Sequence, residues 1–140
     1  MTTLVGDIET DGLDPTLIWV FVTKCIETGE VKSWYNKVGF QDYMDTHDSI
    51  VFHNGIGFDV PVLEKLWKIN FSNIDVVDTL VMSRLADPQR DGHALKWWGE
   101  LLNFPKGDHD DWSQYSEDML VYCKQDVDIT EQVYIRLLRD

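Results

Sequence analysis

One hundred and forty residues, 44% of them hydrophobic and 12% aromatic, can bury a core as one domain and are too few for two of ordinary size. Twelve Lys plus Arg against 25 Asp plus Glu leave a formal charge of −13, which excludes attachment to nucleic acid through a broad basic surface but not through bound metal ions. No stretch approaches the roughly 20 apolar residues of a membrane span, nothing in the first residues reads as a signal peptide, and Cys25 and Cys123 form neither a zinc spacing nor a disulfide framework. The expectation is a soluble cytoplasmic chain with no membrane partner.

Thr3 to Thr10 reads as a strand that enters a polar turn at Asp11, Gly12, Leu13, Asp14 and Pro15. Leu17 to Ile26 and Val31 to Tyr35 are rich in β-branched and aromatic residues and flank Glu27-Thr28-Gly29-Glu30, so they predict a hairpin and three antiparallel strands at the start. A short helix from about Phe40 to Asp45 follows, then a strand, Ser49 to His53, which breaks at Asn54, Gly55, Ile56 and Gly57. Phe58 to Ile69 places Val60, Leu63, Leu66 and Trp67 at helical spacing, with Pro61 in the first turn. Ile74 to Val77 reads as another short strand, and Thr79 to Leu85 as a helix capped by Asp78. His93 to Leu102 repeats apolar residues along one helical face. Here Trp97, Trp98 and Leu101 are read as core packing, with base stacking as the alternative, and His93 as a cap. Asp108, Asp110 and Asp111 form a solvated acidic loop. The last helix starts after Ser116, with Glu117 and Asp118 at its positive end, and runs to about Leu138. Strands first, then helices mixed with strands, predict one α/β domain with a mixed sheet.

Three groups of polar residues stand out. Asp7 and Glu9 are two apart on the first strand and project from one face about 6.5 Å apart. Acids so placed repel unless solvated or neutralised, so either a hard cation such as Mg²⁺ or Mn²⁺ sits between them or the strand end faces water. In His53 to Asp59 a strand stops, two glycines permit a close backbone approach, and an acid follows at a helix start; an ordinary turn with a helix-capping Asp59 reads equally from these residues. Tyr122 and Asp126, at i and i+4, share a helical face, a spacing that also arises by chance. Cys123, next to Tyr122, is expected to point elsewhere on that helix and to have no redox role.

Asp7-x-Glu9-Thr10 at a first strand, Asn54-x-x-x-Phe58-Asp59 after a central strand and Tyr122-x-x-x-Asp126 in the last helix together resemble the three motifs of the DnaQ-like, DEDD-type 3′-to-5′ exonucleases. Tyr122 resembles the tyrosine subclass, because the histidine subclass would carry His at position 121, where Val121 stands. The resemblance runs from about Thr3 to Leu137. It is nearest the proofreading domain of bacteriophage family A DNA polymerases, through Val51-Phe52-His53-Asn54-Gly55, the run from Asp78 to Leu85, and Gly92-His93-Ala94-Leu95. It implies an RNase H-like α/β fold, a mixed five-stranded sheet flanked by helices, with residues 1–140 as a single exonuclease domain. It further implies that Asp7, Glu9, Asp59 and Asp126 hold two divalent metal ions, Mg²⁺ or Mn²⁺, that Tyr122 orients the attacking water, and that nucleoside 5′-monophosphates are released. By the same resemblance Thr10 approaches the 3′ hydroxyl and Leu13 the last base. Asn54 and His53 approach the sugar and phosphate of the penultimate nucleotide, a buried and hydrogen-bonded His53 being the other reading.

The acidic balance predicts distributive digestion of single-stranded or frayed 3′ ends. The polymerase-like segments favour DNA, while the motifs themselves do not separate deoxyribose from ribose, which leaves a 3′-to-5′ exoribonuclease as the alternative. No polymerase motifs accompany the three exonuclease motifs, so the expected roles are proofreading beside a separate DNA polymerase or DNA turnover, in the host cytoplasm if the chain is viral. A non-catalytic scaffold that binds nucleic acid or a polymerase is opposed by the presence of all four acids and Tyr122. An RNase H-type endonuclease gives no reason for Asn54 or for the Tyr122 to Asp126 spacing.

Overall fold

Residues 1–104, 107 and 109–139 are described by the structure, a computed structural model; Asp108 of the acidic loop lies outside the described residues. The long strands β1 (Thr3–Thr10) and β2 (Ile18–Cys25) are built mainly of β-branched and aromatic side chains, which suit a pleated surface covered on both sides. They pair antiparallel, and β2 pairs antiparallel with β3 (Val31–Trp34). After α1 (Phe40–Asp45), β4 (Ser49–Phe52) joins the other side of β1 in parallel. Parallel neighbours cannot be joined by a tight turn, and α2 (Val60–Leu66) carries the chain from β4 back to β5 (Asp75–Asp78). The order β3-β2-β1-β4-β5 is the mixed five-stranded sheet expected. Three further helices complete the described chain: α3 (Thr79–Ala86), α4 (Leu95–Leu101) and α5 (Glu117–Arg139). Among the described residues no helix is long and apolar enough to cross a membrane.

Period-two alternation divides β1 between two faces. Leu4 and Ile8 join Phe21, Ile50 and Phe52 in a core closed by Phe40, Met44 and Leu63 of α1 and α2. Val5 joins Val20, Val22 and Val51 against Cys123 and Val127 of α5. Asp7 and Glu9 continue the Val5 face, so the strand presents both acids toward α5. Lys24 on β2 ties that helix down, its Nζ 2.8 Å from Glu131 and 3.4 Å from Asp128. Leu95 and Trp98 then pack α4 onto Ile129, Val133 and Leu137.

Several element ends differ from expectation. The strands read as 17–26, 31–35 and 49–53 lose one residue at one or both ends, and β5 starts one residue later than predicted. The helix expected over 58–69 begins only at Val60 because Gly55–Asp59 forms a wider π-helical turn. It stops at Leu66 because Lys68 takes a left-handed φ of 57°. The helix expected from His93 begins at Leu95, and His93 does not cap it. Its Nδ1 instead lies 2.6 Å from Ser83 Oγ, and its carbonyl accepts from His53 Nε2 at 2.8 Å. Of the three residues expected in the core here, Trp98 is buried and donates from Nε1 to Ser83 Oγ, Trp97 is half-buried beneath the Arg90 guanidinium, and Leu101 is exposed. Two helical turns bury a single stripe, and Leu95, Trp98 and Leu102 fill it.

A Cβ added to Gly6 would meet Phe21 Cε1 at 2.7 Å and Phe52 Cε1 at 3.0 Å, two rings already packed in the core. Gly6→Ala is expected to lower the unfolding free energy by about 1–3 kcal/mol, measured by urea denaturation with an unchanged m-value. A wild-type midpoint would show that the rings move aside without strain.

Candidate active site

The register of β1 and β2 holds as far as Glu9–Val20 and then slips, Thr10 pairing with Ile18. A bulge of this kind bends a strand and re-aims the residues beside it. Beyond it Thr10 Oγ1 donates to the Gly12 carbonyl at 2.8 Å and accepts the Gly12 amide at 3.3 Å. Asp11 closes the same turn by accepting the amides of Thr16 and Leu17. Between these two ties Leu13 projects outward, 96% exposed.

On the neighbouring strand, Asn54 turns the chain with φ 67° and ψ 29°. A Cβ on Gly57 would lie 2.7 Å from Asn54 Oδ1, and one on Gly55 would strike Phe52, so both glycines serve close approach. Asp78 clamps this loop. Its Oδ1 accepts the amides of Asn54 at 2.8 Å and Leu80 at 2.9 Å, and its Oδ2 accepts that of Ile56 at 3.1 Å. The capping expected of Asp78 is therefore present, and a second role is added to it.

Asp59 makes no helix-capping hydrogen bond. Its Oδ2 instead accepts the Ile8 amide of β1 at 3.3 Å, beyond Val5, where the β1–β4 pairing ends. Burial first, and then the neighbouring Asp7 carboxylate, holds the Asp59 carboxyl well above the usual carboxylate range.

The third side of the site is α5. Cys123 does not point away from it: Sγ lies 3.3 Å from the Asp7 carbonyl and 3.5 Å from Asp7 Oδ2, as a donor to both. Ligand atoms of Asp7, Glu9 and Cys123 all fall within 4.8 Å of one another. Burial and the Asp7 charge push the thiol up. The i−3 relation of Cys123 to Asp126 already places the two on one helical face, a sequence signal that the expectation passed over.

Asp7, Glu9, Asp59, Tyr122 and Asp126 all border one cavity of about 330 Å³, and Leu13, His53 and Asn54 lie on its wall. Thr10 borders an adjoining cavity of about 320 Å³ instead. The sequence reading missed Trp112, which lines both cavities and stands edge to face with Tyr122, ring centroids 5.6 Å apart. Its only local signal is a large aromatic residue in a polar, acidic loop.

Of the two readings of His53, the buried one describes the ring. Nε2 meets the His93 carbonyl at 2.8 Å and Nδ1 meets Thr79 Oγ1 at 2.7 Å. A carbonyl only accepts, so Nε2 carries a proton, while the Thr79 hydroxyl beside Nδ1 also lies 3.2 Å from the Phe52 carbonyl. Burial lowers the His53 pKa to about 4.

No protein-family model matches the chain. It is 30% identical to the DNA-directed DNA polymerases of Enterobacteria phage T3 and Escherichia phage T7, over 98% of this chain and 27% of each polymerase. The chain thus spans about a quarter of the length of these curated relatives. The matched region runs over 188 positions, more than the 140 residues present, so the relatives carry insertions there. Among solved structures, a nuclease in its apo form superposes with a TM-score of 0.78 at 24% identity, over 96% of this chain and 70% of that one. Brucella melitensis NrnC with bound Mg²⁺ superposes at 0.76 and 23% identity, over 98% and 72%. This chain has the RNase H-like, DnaQ-like fold. The resemblance to phage polymerases holds in sequence, and that to DnaQ-like proteins in architecture.

His53 sets an acid limit on this fold. Its pKa is 6.5 in the unfolded chain and about 4 in the folded one, so its stabilisation is complete above pH 6.5 and is lost as pH falls toward 4. The expected loss is about 3 kcal/mol, read as the difference in pH dependence between wild type and His53→Asn in urea melts from pH 7 to pH 4. Identical pH dependence in the two proteins would mean that the folded ring takes up its proton as readily as the unfolded one.

Proposed function

We propose that this chain is a metal-dependent 3′-to-5′ exonuclease that removes nucleoside 5′-monophosphates from single-stranded or frayed DNA 3′ ends, and that residues 1–140 act as one exonuclease domain. The observation that carries this reading is convergence: two acids from β1, one from the turn after β4 and a tyrosine and an acid from α5 border a single cavity.

The donor set is chiefly carboxylate oxygen, the chemistry that Mg²⁺ and Mn²⁺ prefer, and the buried Asp59 beside Asp7 is a charge pair that a cation offsets. Asp7, Glu9, Asp59 and Asp126 would hold two such ions, which when bound supply an activated water and stabilise the leaving 3′ oxygen. Tyr122 is a phenol, a poor base near neutral pH, and its role is to orient the attacking water by hydrogen bonding. Asn54 at the cavity wall offers its amide to the penultimate sugar or phosphate, and Leu13 lies against the last base. The Thr10 hydroxyl is engaged in its own turn and the His53 nitrogens in the protein interior, so these two shape the site more than they contact substrate.

Two kinds of relative and the charge balance support this reading. NrnC, on the same fold, has been seen with bound Mg²⁺ and bound to pGG. The phage relatives are DNA polymerases, which favours DNA over RNA and a place in proofreading, beside a separate polymerase, or in DNA turnover. With 25 acids against 12 bases, contact with the strand is short and digestion distributive.

A time course on matched 5′-labelled single-stranded DNA and RNA with Mg²⁺, Mn²⁺ or EDTA tests the activity. A metal-dependent ladder that shortens from the 3′ end, faster on DNA, is expected. Asp7→Ala and Asp126→Ala should each lose more than the roughly 100-fold that removal of an outer-shell metal partner costs, and Tyr122→Phe should lose less than either. A ladder on RNA alone would reassign the substrate, and no ladder from folded protein would favour a binding scaffold.

Metal binding has its own readout in thermal melts. At a hundredfold excess over the dissociation constant, Mg²⁺ or Mn²⁺ should stabilise wild type by about 2.7 kcal/mol. Asp59→Asn removes the buried charge while keeping an acceptor for the Ile8 amide, so it should melt higher than wild type without metal and respond little to it. A lower melting temperature in EDTA would mean that the carboxylate is a net stabiliser of the fold.

A further inference from the structure

Cys123 sits against the site without belonging to any of the three motifs. Its side chain is wholly buried among Val5, Val20, Val22, Val51 and Val127, valines from three strands and from α5 itself. Another valine would serve that packing, and what a thiol adds to it is a hydrogen to donate. Sγ lies 3.3 Å from the Asp7 carbonyl oxygen and 3.5 Å from Asp7 Oδ2. A carbonyl and an ionised carboxylate only accept, so the sulfur between them keeps its hydrogen and is the donor.

Both acceptors belong to one residue, and that is what gives the contact its effect. Rotation about the Asp7 Cα–Cβ bond moves Oδ2 but not the carbonyl, so a hydrogen shared between the two oxygens selects one rotamer of the carboxylate. Asp7 is pressed to leave it. Glu9 follows on the same face of β1, and the charge of Asp7 is felt by the buried Asp59. Without a cation, repulsion turns a half-buried Asp7 that nothing holds toward solvent. The thiol opposes this from the α5 side, with Sγ and ligand oxygens of Asp7 and Glu9 all within 4.8 Å of one another.

We infer that Cys123 is a positioning residue for Asp7: its S–H holds the carboxylate in the rotamer that faces Glu9, so the acids are ordered before a cation arrives. This rests on the reading of Asp7 as a metal ligand and adds to it the residue that tunes the affinity. A ligand ordered in advance removes a cost that binding would otherwise carry. Loss of an outer-shell partner lowers metal affinity about 10- to 100-fold, and a thiol, as a weak donor, belongs at the lower end.

The first measurement needs no metal and no turnover. The infrared S–H stretch of Cys123 is assigned by difference against Cys123→Ser, because Cys25 is the other thiol. In EDTA it should lie below the frequency of a free thiol and move upward in Asp7→Ala; a band that does not move overturns the inference. It should also persist in the Mn²⁺-bound protein, and its loss there would make the sulfur a metal ligand rather than a positioning group.

Calorimetric titration with Mn²⁺ then compares wild type, Cys123→Ala, Cys123→Ser and Val51→Ala, the last of which removes packing from the same cluster but no donor. Cys123→Ala should bind Mn²⁺ about tenfold more weakly, Cys123→Ser should recover most of that loss, and Val51→Ala should match wild type. In turnover the Cys123→Ala defect should fall on kcat at limiting Mn²⁺, shrink at saturating Mn²⁺ and leave KM for a single-stranded oligonucleotide unchanged. Equal affinities of wild type and Cys123→Ala, or equal losses in Cys123→Ala and Val51→Ala, overturn the inference. If circular dichroism shows that Cys123→Ala does not fold, Cys123→Val, which fills the cluster without a donor, takes its place. A wild type that binds no Mn²⁺ would sink the metal reading alone, and the infrared comparison would still decide whether the thiol holds Asp7.

Discussion

The hydrogen bond from the Ile8 amide to Asp59 joins two segments 51 residues apart and brings a buried carboxyl up to Asp7. Withdrawing an acid from water and setting it beside another is unfavourable by several kcal/mol before any compensation. Much of the surrounding architecture serves to keep this acid in place. The β1–β4 pairing stops at Val5, which leaves the later amides of β1 to other acceptors. Gly55 lets the chain turn tightly against Phe52, the π-helical turn carries Asp59 back toward β1, and Asp78 fixes the start of that turn through two amides. The same Asp78 carboxylate caps α3, so loop and helix share one anchor.

The opposing side depends on α5 lying flat on the Val5 face of the sheet. Valines on β1, β2 and β4 meet Cys123 and Val127, and Lys24 pairs with Glu131 further along the helix. Apolar burial therefore sets the height at which Asp126 and Tyr122 stand over Asp7 and Glu9. Any slip of the helix by one residue would turn its apolar stripe out of the sheet and carry both of these side chains away from the cavity. Packing and chemistry use one register, and a change in either is felt by the other.

Much of this was legible in the sequence, for reasons that differ by residue. Strand β1 and helix α1 were read to the residue, because period-two alternation and turn chemistry are local. Asp7, Glu9, Asp59, Tyr122 and Asp126 were readable through three spacings in a fixed order, and the structure brings all five to one cavity. What was missed depends on distant partners. The second role of Asp78 lies in amides 22 and 24 residues upstream, and the orientation of Cys123 shows only in its approach to Asp7, 116 residues away. Trp112 has no helical or strand period to announce it, and its carbonyl is fixed by Trp19 of β2, 93 residues upstream. His93 was misread because a histidine before a helix resembles a cap, whereas its partners are Ser83 and His53.

Charge and site size bear jointly on how such a chain would meet a polyanion. Affinity for a long strand ordinarily comes from counterions displaced by Lys and Arg, and a formal charge of −13 works against that source. On the proposed reading, nucleotides beyond the cavities add little attraction, so binding free energy is concentrated where acids, metal and aromatic surface adjoin. Leu13 and Asn54 stand at that rim on rigid turns, one held by Thr10 and Asp11, the other by Asp78. A pre-formed rim loses little conformational entropy on contact, which partly offsets the absence of a steering field. On that reading an end already free of its partner strand suits the site better than a paired one, because no long electrostatic track is present to draw a duplex apart.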